Sequence, residues 1–174
     1  MIRICFHGAE STGKSVLADR LGYPWVPEYG RAYCEERGID LTMADLLAIA
    51  EGQDAAMRKA AQANPPLLIL DTDPLMTAAW AHMLFGEAPE VLLAYEKAEY
   101  YLLFEPDVPW IADGTRFFGA TGERSRFAAL AEQMLVDAGV PFARISGDWA
   151  AREAAVRATI DKIATQMWEN PGAA

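Results

Sequence analysis

Cysteine is scarce. Two residues among 174, Cys5 and Cys34, exclude a disulfide-stapled scaffold, and neither belongs to a C-x-x-C pair. The expected compartment is therefore the reducing cytosol. Basic side chains are outnumbered, 15 Lys and Arg against 25 Asp and Glu, for a net charge of −10. Nucleic acid is not an expected partner, because a phosphate backbone needs a Lys/Arg-rich face. A neutral or cationic small molecule suits the charge better. Histidine is rarer still, and His7 and His82 stand in no metal-ligand spacing, so both read as structural. No apolar run approaches the roughly 18 residues of a membrane span. The chain opens directly into a strand-like run, so no signal peptide is expected. Internal repeats are missing too. What is plentiful is apolar surface: 52% hydrophobic residues against 23% charged describe one globular domain with a sizeable core.

The first fourteen residues after Met1 carry the strongest pattern. Ile2 to Phe6 is an apolar run, followed by Gly8-Ala9-Glu10-Ser11-Thr12-Gly13-Lys14-Ser15 and then Val16 and Leu17. This is G-x-x-x-x-G-K-S between a strand-like and a helix-like segment, which is the context the phosphate-binding loop requires. Gly8 and Gly13 let the backbone turn tightly. The amides of Glu10 to Ser15 then converge on one concavity suited to an anion. Lys14 can reach β- and γ-phosphates, and the Ser15 hydroxyl can ligate Mg²⁺. The chain is expected to bind a nucleoside triphosphate, with ATP and Mg²⁺ as its cofactors.

Downstream, strand-like and helix-like segments alternate. Short strands are expected around 25–26, over 67–70, 100–104 and 141–145. Helices are expected over 15–21, to about Arg37, from the Thr42/Asp45 capping box to about Asn64, from Pro74 to Phe85, from Pro89 to about Glu99, over 123–138, and after Asp148. In the third of these, Met43, Leu46, Leu47, Ala50, Met57 and Ala61 share a face, and Gly52 interrupts the helix for a packing or ligand reason. Alternation of this kind defines an α/β domain with a parallel sheet covered on both faces. One domain over 1–168 is expected, with a lid around 114–126 and a frayed tail at 169–174.

Ligands of such sheets lie beyond the carboxyl ends of the strands, and every conspicuous polar cluster falls at such an end. Asp71 follows Leu67-Leu-Ile-Leu70, where a carboxylate could hold Mg²⁺; capping the next helix is its alternative. Asp73 precedes Pro74 and divides between cap and substrate contact. Glu28, past the second strand, could accept a hydroxyl proton. Arg31 could touch phosphate or pair with Glu28 at the surface. Arg116, Arg124 and Arg126 could close over ATP, or cap and solvate a helix. Tyr29, Trp80 and Trp110 could offer π-faces to a substrate ring, or be core. Glu28 and Asp73 are both credible bases. Topology places the Ser146–Trp149 turn and a lid arginine near a nucleobase.

The segments GAESTGKS (8–15), PEYGRAY (27–33), DTDPLMTAAW (71–80) and PDVPWIADGTR (106–116) together resemble the ribosylnicotinamide kinase domain of bacterial NAD-biosynthesis regulator proteins. The phosphate loop is shared very widely; the later segments, in this order, are far more specific. The resemblance implies ATP-dependent phosphorylation of the 5′-hydroxyl of nicotinamide riboside. It also implies a P-loop nucleoside-kinase sheet in order 2-3-1-4-5. By motif position, residues 8–16, from Gly8 through Val16, with Arg124 and Arg126 serve ATP. Glu28, Tyr29, Arg31, Asp71, Asp73, Trp80, Trp110 and Asp113 surround the riboside. Because the phosphate loop stands at the N-terminus, a stand-alone kinase without upstream adenylyltransferase and DNA-binding parts is expected. A kinase of another nucleoside or small polyol, and a regulatory ATPase, are the alternatives.

Overall fold

A computed structural model describes residues 1–112, 117 and 121–169. Five strands form one sheet: β1 (Ile2–Gly8), β2 (Trp25–Val26), β3 (Leu67–Asp71), β4 (Tyr100–Phe104) and β5 (Phe142–Ile145). Their order is β2-β3-β1-β4-β5, and every pairing is parallel. This is the 2-3-1-4-5 sheet of P-loop kinases. The helices are α1 (Lys14–Arg20), α2 (Tyr29–Arg37), α3 (Met43–Ala61), α4 (Pro74–Phe85), α5 (Glu90–Leu93), α6 (Thr121–Asp137) and α7 (Trp149–Glu169).

Alternation along β1 divides the core. Ile2, Ile4 and Phe6 pack against Leu17 and Ala18 of α1 and Val156, Ile160 and Ile163 of α7. Cys5 points the other way, into a cluster with α3, α4 and α6. Each fully buried aliphatic or aromatic side chain contributes about 1.5–3 kcal/mol. Helix α4 is apolar all round because α3 and α6 cover it on both sides. Register then positions the site. Phe6 of β1 lies opposite Asp71 of β3, and Gly8 opposite Phe104 of β4, so the phosphate loop leaves the sheet between both neighbours' ends.

Several expectations are corrected. The helix expected from Pro89 to Glu99 stops after one turn, at Leu93. The Lys97 ammonium donates to the Leu93 and Tyr95 carbonyls at 2.6 and 2.5 Å, and takes those acceptors from a continuing helix. On α3 the inward stripe runs through Leu46, Ile49, Ala50, Gln53 and Met57, while Leu47 is exposed. The helix expected over 123–138 is α6 and begins two residues earlier, at Thr121. Of the expected tail at 169–174, Glu169 closes α7 and 170–174 lie outside the described residues, as do 114–116 and 118–120 of the expected lid.

Candidate active site

The phosphate loop is shaped by close contacts. Gly8 has φ +120°, and a Cβ there would sit 2.5 Å from the Phe104 carbonyl oxygen. Gly13 has φ +87°, and its Cβ would strike the Trp149 ring at 2.6 Å. At Gly8 a side chain would meet backbone that cannot yield, and at Gly13 it would have to hold a left-handed conformation and push the Trp149 ring aside. Within the loop, the Thr12 hydroxyl donates to the Ala9 carbonyl at 2.9 Å. The Lys14 ammonium donates to the carbonyls of Gly8 and Ala9 at 2.9 and 2.8 Å.

A cavity of about 370 Å³ opens beside this loop. On one side it is lined by Gly8 and Glu10 to Val16; on the other by Glu28, Arg31, Gln53, Thr72 and Trp80. Glu28 is the N-cap residue of α2, but its side chain caps no amide and is left to the cavity. Burial, then the nearby Asp71 charge, push its carboxyl up to about 7; Lys14 and Arg31 oppose this. Asp71 is 1% exposed, and neither carboxylate oxygen has a hydrogen bond of ordinary geometry among the described residues. Burial raises its pKa, while the Lys14 charge and the nearby Ser15 hydroxyl favour the ionised form. A buried, orphaned carboxylate next to a hydroxyl is a donor set that fits Mg²⁺.

Trp80 lines the cavity, with Phe127 and Phe117 at 4.6 and 5.0 Å between ring centroids. An aromatic wall of this kind suits a flat ring. Gln53 was missed by sequence reasoning. Its Oε1 accepts from the Tyr29 amide at 2.7 Å and its Nε2 donates to the Thr72 carbonyl at 3.4 Å. It therefore ties the start of α2 to the end of β3. Thr72 is held at φ +80°, a left-handed conformation that is a genuine outlier for a β-branched residue.

Other expected residues are placed elsewhere. Asp73 does not line the cavity. Its Oδ1 caps α4 at the Leu75 amide, 3.1 Å, and its Oδ2 accepts from the Tyr101 hydroxyl at 2.5 Å. Of its two readings, the structure shows the cap. The Tyr29 ring lies against the bare backbone of Gly52 rather than in the cavity; a Cβ on Gly52 would fall 2.3 Å from the ring. That packing is why α3 tolerates a glycine. Trp110 lines neither this cavity nor the second one described below. Arg124 is buried behind the loop and donates to the carbonyls of Val108, Glu10 and Ser11 at 2.7, 3.4 and 3.3 Å. It braces the loop and lines neither cavity. Arg126 is exposed on α6, outside both cavities. Asp113 and Arg116 lie outside the described residues.

Cys5, His7 and Asp73 bring their side-chain tips within 4.8 Å of one another in the core. Burial holds His7 neutral, with a pKa lowered to about 3, and its ring nitrogen Nε2 meets the Ala131 carbonyl at 2.9 Å. None of the three lines either cavity. Among the described residues no helix is long and apolar enough to cross a membrane.

A strand, a glycine-shaped phosphate loop and a helix at the centre of a 2-3-1-4-5 parallel sheet define a P-loop nucleotide-binding fold of nucleoside-kinase-like topology. Residues 3–152 match the AAA domain family, and the chain belongs to it. It is 30% identical over 151 residues to the trifunctional NAD biosynthesis/regulator protein NadR of Escherichia coli K12, covering 79% of this chain and 36% of that protein. The Salmonella typhimurium NadR is 29% identical, with the same coverage of 79% and 36%. The chain thus spans about a third of the length of the curated relatives it matches. Among solved structures, a NadR protein in complex with NR superposes with a TM-score of 0.68, at 22% identity, over 92% of this chain and 51% of that one. A deoxyadenosine kinase from M. mycoides superposes at 0.65, with 12% identity over 92% of this chain and all of the other. These likenesses establish the fold.

Proposed function

We propose that this chain transfers the γ-phosphoryl group of ATP to the 5′-hydroxyl of nicotinamide riboside, giving nicotinamide mononucleotide. One observation carries the reading: a single cavity has the phosphate loop on one wall and, on the other, Glu28 beside an aromatic face. The similarity to NadR proteins, one of them solved with NR, supports the choice of acceptor.

In this reading the loop amides take the β- and γ-phosphates. Lys14 exchanges the carbonyls of Gly8 and Ala9 for phosphate oxygens. Ser15 and Asp71 are the residues that would hold Mg²⁺, which supplies neutralising charge at the β- and γ-oxygens. Glu28 accepts the hydroxyl proton as the new P–O bond forms. A base with a pKa near the working pH is well matched to that step. Trp80 and its phenylalanine partners face the pyridinium ring, whose positive charge gains about 0.5–2 kcal/mol from a π-face. Arg124 and Gln53 hold the two walls in place.

The test is coupled ADP release with nicotinamide riboside and a panel of other nucleosides and polyols. Nicotinamide riboside should be the best acceptor. Equal turnover without it, or stronger stimulation by another nucleoside, overturns the assignment.

A further inference from the structure

A second cavity, about 440 Å³, lies across the phosphate loop from the first, and Ser11, Thr12, Gly13 and Val16 line both. On the reading proposed above, the loop carries the donor's triphosphate, and the donor's nucleobase falls to this second cavity. What the cavity offers a base is apolar. Val16, Ile111 and Trp149 converge there while 64%, 59% and 52% exposed. Large apolar side chains gathered at the surface mark a binding face. The Trp149 ring is pre-placed: it sits against Gly13 of the loop, with the Arg152 guanidinium 6.0 Å from its centroid.

Among the described residues around this cavity, the groups that could read a base edge are already engaged. Arg152 is 1% exposed and donates to the carbonyls of Gly147, Thr12 and Glu105 at 2.8, 3.4 and 2.9 Å, and to Asp107. The Gly147 amide donates to Asp107 at 2.7 Å, so both polar groups of that turn residue are used. Glu153 pairs with Arg20 and Arg157 at the rim, and the Ser11 hydroxyl accepts from the Ile111 amide at 2.8 Å.

We propose that the donor's base is held by stacking on Trp149 without hydrogen-bond readout of its edge, so that the site takes GTP nearly as well as ATP. A site that hydrogen-bonds its ligand rejects an analogue lacking the matching group by about 10⁴–10⁵. Stacking tolerates any base, because every base has a π-face.

The experiment is calorimetric titration of the full chain, with Mg²⁺, by non-hydrolysable analogues of ATP and GTP. The two affinities should agree within about tenfold. Trp149→Ala should weaken both by about 5- to 150-fold, the loss of one base–aromatic stack, and Trp149→Phe should restore most of it. In turnover, the donor KM should rise in Trp149→Ala while the riboside KM stays. A GTP analogue bound over a thousandfold more weakly than the ATP analogue overturns the proposal, as does a Trp149→Ala protein that binds ATP like the parent. Binding of no triphosphate overturns this inference and the kinase reading together. Tolerant binding without riboside phosphorylation upholds this inference and sinks only the acceptor.

Discussion

Replacing Glu28 with glutamine should stabilise the ligand-free protein, and only at the alkaline end. Burial and the Asp71 charge raise the Glu28 carboxyl from its ordinary value to about 7. The folded chain therefore holds this proton more tightly than the unfolded chain does. The resulting stability is complete below the unfolded pKa, about 4.5, and is lost as pH rises through about 7. Each tenfold change in proton affinity is worth about 1.4 kcal/mol. Allowing for screening by cavity water, Glu28→Gln should gain about 1–3 kcal/mol at pH 8. For a chain of this length that is about 3–10 °C in Tm. The assay is thermal melting of both proteins at pH 5 and pH 8 in chelator-treated buffer, since a cation beside Asp71 would alter the field. The two should melt alike near pH 5 and separate at pH 8. Equal melting at pH 8, or a larger gap at pH 5, refutes the argument. In turnover, kcat/KM of the parent should rise with pH and level off above about 7. Glu28→Gln should lose about 10²–10⁴-fold in kcat.

Lys14→Ala should lower kcat by at least about 100-fold, the scale of losing one donor to the developing charge, while circular dichroism stays unchanged; retained turnover refutes its role. Gly8→Ala places a Cβ 2.5 Å from a backbone oxygen at positive φ, and should cost more than about 3 kcal/mol, read as a Tm drop of about 6 °C or more. Gln53→Leu leaves the Tyr29 amide and the Thr72 carbonyl short of a partner, and urea denaturation should show a loss of about 1–3 kcal/mol. Thr72→Gly relieves a strained φ worth about 1–3 kcal/mol against roughly 1 kcal/mol of added chain entropy, so its urea midpoint should hold or rise, unlike most truncations of a buried residue.

The parts of this molecule that sequence revealed are those written in neighbouring residues. The phosphate loop is eight consecutive positions, and the Thr42/Asp45 box caps α3 as its spacing says. Pro74 after Asp73 signalled a cap, and the carboxylate makes it. What stayed hidden depends on partners far apart in the chain. Gln53 reads as an ordinary polar residue in a helix; its partners stand 24 and 19 positions away. Arg152 carries no signal in its own segment of α7, yet it joins the phosphate loop to the ends of β4 and β5. Arg124 is expected in a lid because an arginine near glycines suits a phosphate; nothing in its own segment discloses the backbone carbonyls of Val108, Glu10 and Ser11 that it meets. Tyr29 looked like a substrate face because nothing in its own segment discloses the bare helix at Gly52.

Gln53 has a mechanical consequence. Glu28 and Asp71 belong to separate elements, and one buried amide fastens the residue after each, Tyr29 and Thr72, to the other. The spacing between the two acids is thus set before any ligand arrives, and a motion that parts them must first break that fastening. Rearrangement during a reaction cycle is cheaper on the side of the cleft away from this clasp.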